Sequence, residues 1–161
     1  MEEKRILSIL VENKPGVLSR IVGLFSGRGY NIDSLCVAET TEPGISRLTM
    51  MTTGDKAIVE QIKKQLHKLI NVITVYDYTE QNYVSRELAL IKVNANAGVR
   101  AEVLRIVDIF RCKIVDSGPD HYTVQVSADE DKLEALLSLL KPIGIKEVVR
   151  TGCIALARGS K

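Results

Sequence analysis

The apolar pattern of this chain runs through the order strand, helix, strand, strand, helix, strand, then repeats it about 80 positions later, near half of the chain length. That order is the split βαβ, or ferredoxin-like, unit, which lays two helices on one face of an antiparallel sheet. Residues 6–11 are an apolar run broken only by Ser8 and closed by Glu12-Asn13-Lys14-Pro15-Gly16, a buried strand running into a turn. Val17, Leu18, Ile21, Val22, Leu24 and Phe25 then keep one broad helical face, and Gly27-Arg28-Gly29 stops it. Pro15 is expected to open this helix, where its missing N–H costs nothing. Residues 32–39 and 45–53 read as strands joined at Thr41-Glu42-Pro43-Gly44, an antiparallel hairpin. Ile58, Ile62, Leu66, Leu69 and Ile70 mark a second helix, and residues 72–78 a closing strand.

After a polar connection at 79–86 the cycle restarts, with strands at 88–93, 113–116 and 122–126 and a helix at 101–110. Leu133, Leu136, Leu137 and Leu140 stripe a last helix, and 146–156 supplies the last strand. The expected architecture is therefore α+β, two tandem ferredoxin-like domains at 1–79 and 80–161. Domains of this size have marginal cores. Leu7, Ile9 and Val11 must point to one sheet face and Ile6 and Leu10 to the other, while the helices cover only one. The second face needs a cover, either the rest of the chain or a second copy; an exposed apolar patch being a liability, a homodimer is the favoured expectation.

Charge excludes several functions. The chain has 22 Lys and Arg against 20 Asp and Glu, a balance of +2 that gives no footprint for nucleic acid or an anionic membrane. It has no Trp, two Phe and five Tyr, and strands 6–11 and 48–53 carry no aromatic, so bases have nothing to stack on. Cys36, Cys112 and Cys153 are far apart and show no CxxC spacing, which suits a reducing cytoplasm. The opening residues have neither the length nor the composition of a signal peptide or membrane span.

The residues offer little to a catalyst. His67 and His121 fall in opposite halves with no Cys, Asp or Glu at ligand or triad spacing, so no catalytic residue, metal site or bound cofactor is assigned. Asp129, Glu130 and Asp131 precede a leucine-striped helix, where carboxylates favour the positive end of the dipole. Gly23, Gly27 and Gly29 lie in and after a helix, the wrong place for a phosphate loop.

One segment is better suited to a ligand: Asn13-Lys14-Pro15-Gly16-Val17-Leu18, with Asn31-Ile32 at the start of the next strand. Free amides at a helix start receive a carboxylate, and glycine lets it come close. The asparagines offer donors and acceptors to an ammonium and a carboxylate, and Val17, Leu18 and Ile32 a greasy wall. The tetrapeptide Asn13-Lys14-Pro15-Gly16 is also ordinary turn chemistry, and taken alone that reading prevails.

The longer run from Asn13 to Leu35, NKPGVLSRIVGLFSGRGYNIDSL, resembles the ACT domain of the small, regulatory subunit of acetohydroxyacid (acetolactate) synthase. The likeness continues through Ser46-Arg47-Leu48-Thr49, the Lys-Gln-Leu-His-Lys-Leu of 64–69, Arg86-Glu-Leu-Ala-Leu-Ile-Lys-Val, Ile109-Phe-Arg and Ala155-Leu-Ala-Arg-Gly. It implies a chain with no active site of its own, which binds a catalytic large subunit carrying thiamine diphosphate, Mg²⁺ and FAD, raises its activity and confers inhibition by valine or another branched-chain amino acid. Effector contacts would come from Asn13, Lys14, Pro15, Gly16, Val17 and Leu18 of one copy with Asn31 and Ile32 of its paired ACT domain, and Ser19 and Ala38 would lie close by. A stand-alone amino-acid-sensing ACT protein tied to no synthase is the alternative.

Overall fold

The computed structural model describes residues 3–160, and strand β1 (Glu3–Glu12) organises the first part of it. After β1 come α1 (Val17–Ser26), β2 (Ile32–Glu39), β3 (Ile45–Gly54), α2 (Lys56–His67) and β4 (Val72–Asp77). The second cycle is β5 (Tyr83–Asn94), α3 (Arg100–Ile109), β6 (Lys113–Ser117), β7 (His121–Ala128), α4 (Glu130–Leu140), β8 (Ile145–Arg150) and β9 (Ile154–Ala157). The chain forms two units, one holding everything up to Val84 together with the segment from Cys153 on, the other Ser85–Gly152.

In the first unit the antiparallel sheet has the order β2-β3-β1-β4. β1 divides its side chains as the alternation predicts. Leu7, Ile9 and Val11 join Leu48 and Met50 of β3 beneath Val17, Ile21 and Phe25 of α1 and Val59, Ile62 and Leu66 of α2. Each fully buried side chain of this kind stabilises the fold by about 1.5–3 kcal/mol. Asp55 caps α2 by accepting from the Ala57 amide at 2.8 Å. Gly54, just before it, is required because the Tyr30 ring occupies the space a Cβ would need.

On the opposite face, Ile6, Met51 and Tyr78 pack against Cys153 and Ala155, with Tyr83 and Ala157 alongside. The cover over this part of the sheet is thus the chain's own C-terminal segment, and no second copy is needed there. The last strand, expected as one piece over 146–156, is two. β8 pairs with β5, and at Gly152 (φ 86°) a turn open to glycine breaks the strand before β9.

The second unit repeats the plan with the path β6-β7-β5-β8. Ile91 and Val93 of β5, Val124 and Val126 of β7, Val103 and Ile106 of α3, and Leu133, Leu136 and Leu140 of α4 form its core. The Asp129 carboxylate caps α4 through the Lys132 amide at 2.9 Å, with Glu130 and Asp131 in the first turn, as the dipole argument requires. β5 starts at Tyr83, inside the stretch expected to be a polar connection, where Tyr83 packs against the Ile6, Met51 and Tyr78 cluster.

Candidate functional site

β1 delivers Asn13 into the turn, where its amide donates to the Gly44 carbonyl at 2.8 Å; the β2–β3 hairpin turn therefore props the junction. Val17 N donates back to Lys14 O at 3.3 Å, and Arg20 N to Gly16 O at 3.1 Å opens the helix. α1 starts at Val17. Pro15, expected to open it, lies in the turn before, and Gly16 is the N-cap. Gly16 has φ 82°, and a Cβ added there would meet nothing within 4 Å. Its glycine is therefore demanded by a left-handed backbone rather than by crowding within the chain.

No side chain caps α1, and its first turn holds no acidic residue. The Val17 amide is taken by Lys14 O, but those of Leu18 and Ser19 have no partner among the described residues, the physical requirement for receiving a carboxylate. The exposed Asn13 side chain makes no hydrogen bond among the described residues. Leu18 is 43% exposed beside it, whereas Val17 is buried in the core, so the apolar wall on this side is Leu18. Lys14 is turned away, its ammonium 2.6 Å from the Glu12 carboxylate, and that hydrogen bond and charge hold Glu12 below the usual carboxylate range. Ser19 is exposed on α1 and Ala38 on β2.

Asn31 and Ile32 are far from this turn. Ile32 is level with Thr52, whose hydroxyl donates to Asn31 O at 2.6 Å, and Asn31 Nδ2 donates to Asp33 at 2.9 Å. Glu12 is level with Ile45, so the run of β3 from Thr52 to Ile45 separates the two groups, about 23 Å at about 3.3 Å per residue. A single chain cannot bring both asparagines to one small ligand. β2 is also the edge of its sheet.

The equivalent junction of the second unit also starts its helix without a side-chain cap, but its asparagines and Arg100 are engaged and its first turn is acidic. Asn94 Oδ1 accepts from the Asn96 amide at 3.3 Å and Asn96 Oδ1 from the Gly98 amide at 3.1 Å. The Arg100 guanidinium donates to Tyr122 Oη, Gly118 O and Pro119 O at 2.8 Å each, and Glu102 stands in the first turn of α3. This junction has little left to offer an anion. Nothing in the sequence distinguishes the two turns so clearly, since both carry Asn and Gly.

Elsewhere, a cleft of about 540 Å³ is lined by Arg5, Lys56, Glu60, Lys63, Asp77 and Glu80 and includes none of the expected effector contacts. His67 ends α2, exposed. His121 lies between Asp116 (3.0 Å) and Asp120 (3.4 Å), and its hydrogen bonds lower both carboxyls. Among the described residues no three His, Cys, Asp or Glu side chains gather as a metal site, and no helix is long and apolar enough to cross a membrane.

Comparison with known proteins accounts for both units. Residues 7–74 match the family described as the AHAS small subunit-like ACT domain, and residues 86–159 the family described as the small subunit of acetolactate synthase. The chain is 52% identical to the acetolactate synthase small subunit of Aquifex aeolicus over 96% of its own length and 81% of the relative's. It is 49% identical to the acetolactate synthase isozyme 3 small subunit of Salmonella typhimurium over 98% of each. The crystal structure of the small subunit from Thermotoga maritima superposes with a TM-score of 0.89 at 38% identity, covering 99% of both chains.

Proposed function

The chain belongs to the acetolactate synthase small-subunit family, and from that premise we propose that it raises the activity of a catalytic large subunit and lets valine or a related branched-chain amino acid lower it. The thiamine diphosphate, Mg²⁺ and FAD of the reaction belong, on this reading, to the catalytic partner in the cytoplasm, and this chain supplies regulation.

The observation that carries the proposal is the uncapped start of α1 beside the unoccupied Asn13 side chain. An effector carboxylate docks on the amides of the α1 start, its ammonium is received by the Asn13 carbonyl oxygen, and Leu18 covers its branched side chain. A second copy completes the site. Antiparallel pairing of two β2 edges about a two-fold axis sets the start of one β2 beside the end of the other. That brings Asn31 and Ile32 of one copy toward Asn13 and Gly16 of its partner, which a single chain holds apart.

The ligand then acts as mortar for one arrangement of the pair. It can bias the catalytic subunit only by its difference in affinity for two arrangements, typically about 1–3 kcal/mol per site. Valine is one methylene smaller than leucine or isoleucine, a difference worth about 1–3 kcal/mol in a pocket, and the latter two are isomers, so all three compete. The test is reconstitution: adding this chain to a purified large subunit raises acetolactate formation, and valine then reduces it. A rate unmoved by the chain would refute the proposal.

A further inference from the structure

The face of the first sheet that the helices leave bare is only half covered by Cys153 and Ala155, and in the open half lies a guanidinium with no carboxylate. Arg47 of β3 is level with Leu10 of β1, which in turn is level with Thr74 of β4. Its Nη1 donates to the hydroxyl of the fully buried Ser8 at 2.9 Å and to Tyr78 Oη at 3.4 Å. The guanidinium carbon stands 5.8 Å from the centre of the Tyr76 ring, which stacks on Tyr78 at 6.0 Å. Every one of these partners is neutral. Among the described residues Arg47 has no ion pair, and its Nε and Nη2 make no hydrogen bond.

A half-buried cation fixed at one nitrogen has already given up much of its rotamer freedom, while the Nε–Nη2 edge keeps the fork that fits a carboxylate with two parallel bonds. We propose that this open face, with Arg47 at its centre and Leu10, Thr74 and Tyr76 around it, docks the catalytic large subunit, and that Arg47 receives a carboxylate of that subunit. The proposal rests on the functional reading above. Charge argues against a second copy as the occupant. Packing this face on itself about a two-fold axis sets Arg47 toward its own copy, and the carboxylates at the ends of the face are engaged, Glu12 by Lys14 at 2.6 Å and Asp33 by the Thr53 hydroxyl at 2.8 Å.

The test titrates the large subunit with wild-type chain, Arg47→Gln and Arg47→Lys, reading acetolactate formation, with thermal unfolding of each chain as a check on folding. Removing one member of an interfacial charge pair is expected to raise the half-activating concentration at least about tenfold in Arg47→Gln. Arg47→Lys keeps the charge but loses the fork, and is expected to fall between the two. Valine binding by the isolated chain, read by calorimetry, is expected to stay unchanged. Variants that titrate like wild type would overturn the proposal, as would a change in the solution mass of the isolated Arg47→Gln chain, which would make the face a contact between copies. A wild-type chain that fails to activate would instead overturn the functional reading, and this inference with it.

Discussion

Arg150 holds Glu87 with two parallel contacts, Nε to Oε1 at 2.6 Å and Nη2 to Oε2 at 2.9 Å, and so fastens β8 to the start of β5. The Glu87 side chain is only 7% exposed, and Arg150 reaches Glu134 of α4 as well, at 3.1 Å. The acid raises the Arg150 guanidinium well above its usual value, chiefly through these hydrogen bonds.

Removing the acid leaves a cation in a site built for a pair. Glu87→Ala should destabilise the second unit by about 2 kcal/mol, less than a fully buried pair would cost because Arg150 is partly wet. Chemical denaturation reads the loss, and Arg150→Ala should cost at least as much, since it strands the buried Glu87 carboxylate without a partner, whereas Arg150 left alone keeps Glu134 and water.

The separation of Asn13 from Asn31 along β3 makes a prediction about mixed chains. Asn13→Ala and Asn31→Ala should each weaken valine binding about tenfold or more while leaving the fold intact, because both residues are exposed. Mixed in equal amounts and allowed to exchange, the two variants should regain about a quarter of the sites, since half the pairs are mixed and each mixed pair rebuilds one of two sites. Calorimetry that finds no recovery would refute a site shared between copies.

Gly16→Asp should abolish valine inhibition and keep activation of the large subunit. The added Cβ points into the space left for the ligand, and its carboxylate repels the incoming one at a helix start. The left-handed backbone at φ 82° adds a cost of about 1 kcal/mol, which aspartate tolerates better than most residues. The inhibition curve of the reconstituted enzyme is the measurement.

Asp77 gives the first unit an acid limit. Burial pushes its carboxyl up, but the hydroxyl and amide of Thr79 (amide at 3.0 Å) and the Lys63 ammonium at 3.2 Å outweigh burial and hold it below its ordinary 3.8. A lowered folded pKa means the stabilisation is complete above that ordinary value and disappears as pH falls through the lower one. Thermal unfolding should therefore drop from about pH 4 downward, and Asp77→Asn should cost about 1 kcal/mol at neutral pH while flattening that drop.

The helices and the hairpin were legible in the sequence because their signals are local: Ile62 and Leu66 of α2, the leucines of α4, and Pro43-Gly44 between two strands, although Val59 rather than Ile58 is buried and α2 ends at His67, before Leu69 and Ile70. The division of β1 into Leu7, Ile9 and Val11 against Ile6 was legible for the same reason, since alternation alone fixes it. What covers Ile6 was not, because Cys153 and Ala155 are remote in sequence and their small side chains carry no periodic signal. The turn at Asn13-Lys14-Pro15-Gly16 was visible as a candidate, but only the register of β3 reveals that Asn31 lies at the far end of the sheet. Arg47 was visible only as part of the Ser46-Arg47-Leu48-Thr49 segment, with no role attached; its isolation from carboxylates is a property of three strands at once.

The covering of Ile6, Met51 and Tyr78 by Cys153 and Ala155 also sets a timetable for synthesis. A chain made from its amino end produces both helices and four strands of the first unit early, yet that unit waits for its last piece until the whole second unit has been made. A product stopped before Cys153 would carry the Asn13–Gly16 turn on a sheet with a bare greasy flank, a form suited to quality-control proteases. The first unit is thus closed only in molecules whose synthesis has passed Ala155.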